Sequence, residues 1–356
     1  MPRLPTSLIR AARLIDPLLP LLLRPCRDLR SAQNELRWLC EHIQNHAGAR
    51  NITERTALLK KLVQERSTGK PLQYILGTEF FGDFEIECRP GVLIPRQETA
   101  ASITQLVHLL RKSKSLPPEL RILDLCTGTG CIPLLFQDEL SKHQDIRLEL
   151  LGVDISKKAI QLARSNLAKL RSQGKPTAGN KISFMRADVL DDAREGYDHE
   201  IPKLMSALES QHKSSTWDIL ISNPPYVSPS EYWKTTTRSV RCFEPQLALV
   251  PPPSHGLKDL DQGDRFYPRL LHIARDVAAK IVLFEVADLD QALRVTGMAR
   301  QAGIFSGIEI WRDDPGGSAE LESTYASGDF PIVGSGNGRS VLCWRGEGAV
   351  WLGKHV

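Results

Sequence analysis

The sequence lacks the features of disulfide-rich, zinc-binding and membrane proteins. Its seven cysteines are scattered, with no C-x-x-C pair and no cysteine–histidine spacing, so we expect reduced thiols and no metal site. The leucine-rich run at 18–23 is broken by Pro20 and is far too short to span a bilayer. No internal repeat is present. The net charge of +4 is too small to argue strongly for a nucleic-acid partner.

Length and composition are instead those of a globular protein with two domains. The 356 residues are 41% apolar and 25% charged, which allows one domain with a large core. Residues 31–70 carry apolar side chains at helical spacing, and a turn over 47–51 separates two helical runs. We predict a helical domain at residues 1–75, a hairpin linker at 76–96 and a catalytic domain at 97–356.

The first 30 residues are basic and poor in acids, with six arginines against two aspartates. This composition is typical of a mitochondrial transit peptide. The alternative is that residues 18–23 pack into the first domain. We predict a mitochondrial location, with the cytoplasm as the alternative.

The tetrapeptide Asn223-Pro224-Pro225-Tyr226 follows the pattern of a buried strand at 217–222. The prolines end that strand because neither can donate a hydrogen bond to a neighbour, so the Asn223 amide is held where open α/β sheets bind ligands. The Asn223 oxygen and the Pro224 carbonyl can accept both N–H bonds of a planar –NH2 group, and Tyr226 can lie against its flat face. This predicts methylation of a planar nitrogen, with Asn223, Pro224 and Tyr226 catalytic and all four residues binding substrate. The alternative is a proline-rich strand exit with a buried tyrosine.

Upstream, an apolar strand pattern ends at Asp124 and runs into a glycine-bearing turn. Glycines let the backbone approach a ligand closely. A negative charge at Asp124 would repel a pyrophosphate but suits the cationic amino-acid end of S-adenosylmethionine. Cys126 also stands where a dinucleotide fingerprint needs its first glycine. We predict that Asp124, Thr127, Gly128 and Gly130 bind this cofactor.

Two further strand patterns end in acids. Asp154 follows the first, at the spacing of a ribose-hydroxyl acceptor, and Ser156 can cap the next helix. Asp188 follows the second and could accept from an adenine amino group. Asn223, after the fourth strand, completes the set and should border the cofactor as well as the substrate. As a set, these strand ends predict an S-adenosylmethionine-dependent methyltransferase.

At these residues the sequence resembles the HemK-like methyltransferases, which modify the glutamine of the Gly-Gly-Gln motif in peptide-chain release factors. The resemblance covers most of the chain, with further family signatures at 69–77, 91–99, 244–249 and 284–286. It implies an α/β catalytic domain with a doubly wound, mostly parallel seven-stranded sheet and an antiparallel last strand. It also implies a release-factor partner, recognised by the helical domain. Cys126 departs from the family pattern, because it replaces the first glycine of the turn.

Two alternatives stay open. Asn-Pro-Pro-Tyr also suits adenine-N6 methylation of DNA or RNA, because adenine presents the same –NH2 group, although such an enzyme would be expected to carry a basic groove or a target-recognition segment. The second is a catalytically idle module that binds a translation factor, against which the intact acids and Asn223 argue. We expect no stable nucleic-acid partner and no membrane partner. The residues do not determine the oligomeric state, and we favour a monomer.

Overall fold

A computed structural model describes the chain in seven stretches: residues 3–46, 51–141, 146–173, 179–190, 201–254, 256–317 and 330–354. They belong to two compact units. The first unit groups Met1–Thr78, Cys88–Pro90 and Thr236–Glu244, and the second groups Glu79–Glu87, Gly91–Thr235 and Pro245–Val356. The chain therefore enters the first unit more than once, which the predicted linear division does not include.

The described helices are α1 (Thr6–Ile15), α2 (Leu19–Cys26), α3 (Leu29–His46), α4 (Ile52–Ser67), α5 (Leu72–Leu76), α6 (Gln97–Lys112), α7 (Cys131–Ser141), α8 (Lys157–Ser172), α9 (Leu204–Ser210), α10 (Pro229–Lys234), α11 (Arg238–Phe243), α12 (Asp259–Gly263), α13 (Phe266–Asp276), α14 (Leu289–Ala302) and α15 (Glu347–Trp351). The strands are β1 (Thr78–Phe81), β2 (Phe84–Glu87), β3 (Glu119–Leu125), β4 (Arg147–Asp154), β5 (Lys181–Arg186), β6 (Ile219–Ser222), β7 (Ile281–Glu285), β8 (Gly307–Asp314), β9 (Ile332–Val333) and β10 (Ser335–Trp344). None of these helices combines the length and apolarity needed to cross a bilayer.

The first unit is helical, as predicted for residues 31–70. Asn51 caps α4 by accepting a hydrogen bond from the backbone N–H of Glu54 at 2.9 Å. Residues 47–50 of the predicted turn lie outside the described part of the chain. The core packs apolar side chains from α1 to α5: Ala12, Leu19, Leu22, Leu23, Ala32, Leu39, Val63, Leu72 and Ile75.

Residues 18–23 contribute to this core, since Leu19, Leu22 and Leu23 are completely buried. This is the packing that we considered as the alternative to a transit peptide, and the location stays a prediction. The distant segment with α11 is tied to the unit by the Ser239 hydroxyl, which donates to the Gly69 carbonyl at 2.6 Å. A contact across 170 positions leaves no local pattern in the sequence.

In the second unit, β1 and β2 form the predicted hairpin, and the main sheet has the order β5-β4-β3-β6-β7-β10-β8-β9. Strands β3 to β7 run parallel, whereas β10 is antiparallel to β7 and β8, which confirms the predicted antiparallel last strand. In the described residues the sheet has eight strands, one more than predicted, because the short β9 pairs with the edge of β8.

The sheet is buried on both faces, which confirms a doubly wound α/β fold. In β6, Ile219 and Ile221 face a core that includes side chains of α6 and α7, while Leu220 faces a second core with α13 and α14. Continuous apolar runs are what parallel strands covered on both sides require. The same rule explains why these strands were visible in the sequence.

The C-terminal part differs from the prediction in its boundaries. Residues 313–318 have the composition of a loop, so the sequence predicts a surface excursion from Asp313 to about Asn337 and a last strand over 340–344. In the structure, β8 continues to Asp314 and β10 begins at Ser335. The backbone N–H of Asn337 donates to Asp313 at 2.8 Å, which joins the two polar strand ends. Residues 318–329 of the predicted surface excursion lie outside the described residues.

Candidate active site

The carboxyl ends of β3, β4, β5 and β6 border one cleft of about 1100 Å³, part of it open to solvent. Parallel strands place their carboxyl ends at the same edge of a sheet, where ligands bind. The predicted site residues that line the cleft are Thr127, Gly128, Asp154, Asp188, Asn223 and Pro225. Those that do not line it are Asp124, Gly130, Pro224 and Tyr226.

The turn between β3 and α7 is tight because Cys126, Gly128 and Gly130 all have positive φ angles, of 64°, 55° and 78°. A Cβ atom at Gly130 would lie 2.8 Å from the Phe184 ring, so glycine there lets α7 begin close to β5. Among the residues that the structure describes, and apart from the two chain neighbours, no atom lies within 4 Å of a Cβ built at Gly128. The turn therefore packs closely on one side and leaves backbone open to a ligand on the other.

Cys126 keeps the geometry of the glycine that it replaces. A non-glycine residue in the left-handed region costs roughly 1–2 kcal/mol, which the surrounding packing must offset. Burial and the carboxylates of Asp154 and Asp124 raise the pKa of its thiol. Burial also raises the pKa of Cys131 to about 12. Neither thiol is therefore activated as a nucleophile at neutral pH.

Asp154 holds the turn from the neighbouring strand. Its Oδ2 accepts from the backbone N–H of Gly128 at 2.9 Å, and its Oδ1 accepts from that of Ser156 at 2.8 Å. Burial raises its pKa, and these two backbone donors oppose the shift. Because each carboxylate oxygen has two lone pairs, Asp154 retains capacity to accept ribose hydroxyls. Ser156 caps α8, as predicted.

Asp154→Ala is expected to weaken S-adenosylmethionine binding by roughly 1.5–3 kcal/mol, the range for hydrogen bonds to charged groups. Asp154→Asn should lose less, because one acceptor oxygen remains. Calorimetric titration with the cofactor measures both, with the exposed Asp83→Ala as the matched control. Wild-type affinity in both Asp154 variants would make this residue a structural acid of the turn only.

Asp188 lies half-buried at the cleft after β5. Its Oδ1 accepts from the backbone N–H of Leu190 at 2.9 Å, and its own backbone N–H donates to the Pro202 carbonyl at 2.9 Å. These bonds hold the carboxylate at the cleft wall. Its role as an acceptor for the adenine amino group stays a prediction.

Asp124 lies beneath the turn, where it is completely buried. Neither of its carboxylate oxygens has a hydrogen-bond partner of normal geometry within the described ranges. Burial raises its pKa to about 8, the nearby Thr127 hydroxyl opposes the shift, and Asp154 adds to it. At pH 7 this shift favours the protonated form of Asp124 in the protein without cofactor, and it does not test the negative charge predicted for Asp124 beside a cationic cofactor. Its contact with the cofactor stays a prediction.

The Asn-Pro-Pro-Tyr motif follows β6 directly, as predicted. Asn223 is half-buried in the cleft wall and donates from Nδ2 to the Thr99 hydroxyl at 3.3 Å. The Tyr226 hydroxyl donates to Glu285 at 3.2 Å. Burial and the nearby Glu285 carboxylate raise the pKa of Tyr226. The hydroxyl end of Tyr226 is thus anchored inside the protein, and the predicted contact of its ring with substrate stays a prediction.

Thr99 and Glu285 were given no predicted role, although both lie in the family signatures at 91–99 and 284–286. The rule that selected Asp154 and Asp188, an acid at the end of an apolar strand, also describes Glu285. No comparable signal exists for the apolar side chains that line the cleft: Phe81, Val92, Leu93, Ile94, Ile132, Ile155, Ala159, Val189, Leu190, Leu247, Ala248 and Phe266.

The polar groups of the cleft, like its apolar side chains, fit an adenosyl cofactor. The hydroxyls of Thr127 and Thr129 are buried at the cleft and have no hydrogen-bond partner among the residues that the structure describes. Such buried groups cost free energy unless a partner satisfies them. Gly128 offers open backbone, and Asp154 offers a carboxylate. These are the groups that would hold the cofactor.

Comparison with known proteins agrees with this geometry. Residues 99–257 match the family model described as N-6 DNA Methylase. The probable MRF1 mitochondrial N(5)-glutamine methyltransferase mtq1 of Schizosaccharomyces pombe is 35% identical over 83% of this chain and 88% of its own. The mitochondrial MRF1 N(5)-glutamine methyltransferase MTQ1 of Saccharomyces cerevisiae is 36% identical over 70% of this chain and 68% of its own.

Among solved structures, the hMettl16 catalytic domain in complex with the MAT2A 3'UTR hairpin 1 has a TM-score of 0.44 and 15% identity, and the match covers 80% of each chain. That likeness carries no weight beside the sequence identities. An identity of 35% across most of both proteins shows that this chain belongs to the HemK-like family of S-adenosylmethionine-dependent N5-glutamine methyltransferases, the family that its motifs predicted.

Proposed function

We propose that the protein methylates the N5 nitrogen of the glutamine in the Gly-Gly-Gln motif of a peptide chain release factor, and so supports translation termination. The observation that carries this proposal is that Asn223 borders the same cleft as Gly128 and Asp154, which we propose bind the cofactor. The two fungal relatives are named MRF1 N(5)-glutamine methyltransferases, which supports the substrate.

S-adenosylmethionine supplies a methyl group on a positively charged sulfur. The acceptor is a poor nucleophile, because the lone pair of an amide nitrogen is delocalised. The Asn223 oxygen and the Pro224 carbonyl accept its two N–H bonds, which orients the nitrogen and favours a more localised lone pair. Well-oriented reactants gain on the order of 7–11 kcal/mol, so positioning is the main contribution of the protein. No base is required beforehand, because the product loses its proton afterwards.

Each predicted site residue has a place in this proposal. Thr127, Gly128, Asp154 and Asp188 hold the cofactor, and Gly130 lets α7 begin close to β5. Asn223, Pro224, Pro225 and Tyr226 form the acceptor side. Asp124 lies buried at the end of β3, and its predicted contact with the cofactor stays a prediction.

The decisive experiment incubates the protein with labelled cofactor and candidate release factors, then maps the methylated residue. We expect label on the glutamine of Gly-Gly-Gln and none on a factor in which that glutamine is replaced by asparagine. DNA and RNA oligonucleotides are tested in parallel. The match to the N-6 DNA methylase model reflects the shared –NH2 chemistry, and label on adenine alone would replace our proposal by that alternative.

We propose that the protein acts in mitochondria. The arginine-rich first 30 residues and the mitochondrial names of the two fungal relatives support this location. Import of the full chain into isolated mitochondria, measured by protection from added protease, tests it. A chain that stays accessible to protease would favour the cytoplasm.

We propose that the helical first unit recognises the release factor. One glutamine in a flexible loop offers little surface, so most binding energy must come from remote contacts. Trp38 in α3 and Ile52 in α4 are 42% and 83% exposed. Alanine at either position is expected to raise KM for the intact factor about threefold to tenfold, as the loss of an apolar anchor does.

A short Gly-Gly-Gln peptide should show no such change, because it lacks the remote parts of the factor that the first unit is proposed to bind. Val350→Ala removes an exposed side chain of the second unit and serves as the control. Equal kinetics with the intact factor for all variants would remove Trp38 and Ile52 from the recognition surface.

A further inference from the structure

We propose that Glu285 is a positioning residue for the Asn-Pro-Pro-Tyr motif. Its buried carboxylate orients the Asn223 amide through the Thr99 hydroxyl and anchors Tyr226 directly. The identity of the methyl acceptor that this arrangement serves rests on the proposed function. The hydrogen bonds among Glu285, Thr99, Asn223 and Tyr226 do not depend on it.

The sheet places Glu285 beside the motif. It is the last residue of β7, and β7 pairs in parallel with β6, with Phe284 opposite Ser222. Glu285 is therefore adjacent to the residue that follows Ser222, which is Asn223. It is 4% exposed, and its two oxygens have separate donors. Oε2 accepts from the Thr99 hydroxyl at 2.5 Å, and Oε1 accepts from the Tyr226 hydroxyl at 3.2 Å.

The chain of bonds has a direction. An ionised carboxylate only accepts hydrogen bonds, so the Thr99 hydroxyl must donate its one hydrogen to Glu285. A lone pair of the Thr99 oxygen then accepts from Nδ2 of Asn223 at 3.3 Å. Because the amide is planar, a fixed Nδ2 also fixes Oδ1, which faces away from Thr99. Asn223 thus presents its oxygen Oδ1, a hydrogen-bond acceptor, to an incoming –NH2 group. A flipped amide would instead present its own N–H groups, which cannot accept a hydrogen bond from the substrate.

The charge on Glu285 has support in the surrounding residues. Burial raises its pKa, and the Thr99 hydroxyl, the positive charge of Arg339 and the Tyr226 hydroxyl oppose that shift. Arg339 is itself held by Asp313 at 2.8 Å. A buried carboxylate is expensive, and a well-packed apolar residue is often no less stable. An acid at this position therefore points to a role beyond stability.

The carboxylate is also separate from the bonds that hold the strand end. The Tyr267 hydroxyl donates to the backbone carbonyl of Glu285 at 2.9 Å, and the N–H of Val286 donates to the Arg339 carbonyl at 2.8 Å. These bonds persist when only the side chain of Glu285 changes. A substitution there can therefore test orientation without releasing β7.

Thr99→Val removes the hydroxyl at nearly constant volume and is expected to lower kcat about 10- to 100-fold, less than the roughly 10²–10³-fold loss seen when a group that bonds the reacting atoms is removed. Thr99→Ser keeps the hydroxyl and should stay within about threefold of wild type. Glu285→Gln should lower kcat about tenfold, since an amide can donate as well as accept and so permits both orientations of Asn223. Cofactor Kd should change less than about twofold in all three, because none of them removes a proposed cofactor contact.

Ser102→Ala is the matched control. Ser102 lies one turn further along α6, and its buried hydroxyl bonds to that of Ser340 at 3.0 Å. Loss of a buried hydroxyl bond in the same helix should leave kcat unchanged if only the bond through Thr99 matters. Equal kcat for Thr99→Val and Thr99→Ser, or an equal loss in Ser102→Ala, would overturn the proposal.

A second measurement needs no substrate. In protein labelled with ¹⁵N-asparagine, the Asn223 side-chain signal is assigned through its absence in Asn223→Asp. Its hydrogen exchange should be slow in wild type and Thr99→Ser and several-fold faster in Thr99→Val and Glu285→Gln. The same rate in all four would overturn the proposal. Slow exchange in a wild-type protein that leaves release factors unmethylated would instead support the inference and reject the proposed function.

Discussion

Asn223→Ala is expected to lower the methylation rate by about 10²–10³-fold, the scale seen when one preorganised hydrogen-bonding group is removed from a catalytic site. Cofactor affinity should stay within about threefold, because the amide contacts the acceptor nitrogen and not the sulfonium. The Asn223 amide lies at the end of β6 and bonds to Thr99, whereas the groups proposed to bind the cofactor come from the turn after β3 and the end of β4.

Single-turnover rates and calorimetric cofactor affinity must be measured on the same preparation. Asn180→Ala provides the control, because Asn180 is likewise half-buried and hydrogen-bonded through its side chain but lines no part of the cleft. A wild-type rate in Asn223→Ala would sink the assigned role. Loss of rate together with loss of cofactor affinity would place Asn223 on the cofactor side.

Asp124→Asn is expected to stabilise the cofactor-free protein at neutral pH by as much as about 4 kcal/mol, since three pH units separate an ordinary aspartate pKa from pH 7. The folded-state pKa of Asp124 is raised to about 8, so the folded protein holds a proton that the unfolded chain has lost. The contribution of Asp124 to the free energy of unfolding is fully present below about pH 4 and is lost as the pH rises through about 8. Asparagine does not titrate, so the variant lacks this dependence of stability on pH.

Denaturant unfolding between pH 5 and 8.5 measures the difference without cofactor. The variant should already be more stable by roughly 1.5 kcal/mol at pH 5, and the difference should widen to about 4 kcal/mol at pH 7. Asp261→Asn, at an exposed position of α12, should follow wild type throughout. Parallel curves for wild type and Asp124→Asn would show that Asp124 is ionised in the folded protein.

Much of the catalytic unit was predictable because its signals are local. Apolar runs, glycines and prolines lie within a few residues of one another, so β3 to β6, the turn after β3 and the Asn-Pro-Pro-Tyr exit could be recognised in order. Parallel pairing then brings Gly128, Asp154, Asp188 and Asn223 to one cleft, because every strand end lies at the same edge. The ends of the strands in the C-terminal part were predicted less accurately, because polar residues such as Asp313 can continue a strand through cross-strand hydrogen bonds.

The sequence by itself therefore determined the family, the sheet and the residues that meet at its edge. Tertiary structure alone decided how those residues are held and charged. Asn223 and Thr99 are 124 positions apart, and Thr99 and Glu285 are 186 apart, so no window of sequence shows that one carboxylate connects them. The motif predicts a negative charge on Asp124, yet complete burial raises the pKa of this acid to about 8 in the protein without cofactor. Burial and long-range hydrogen bonding set both outcomes, because they depend on what the folded chain places around each group.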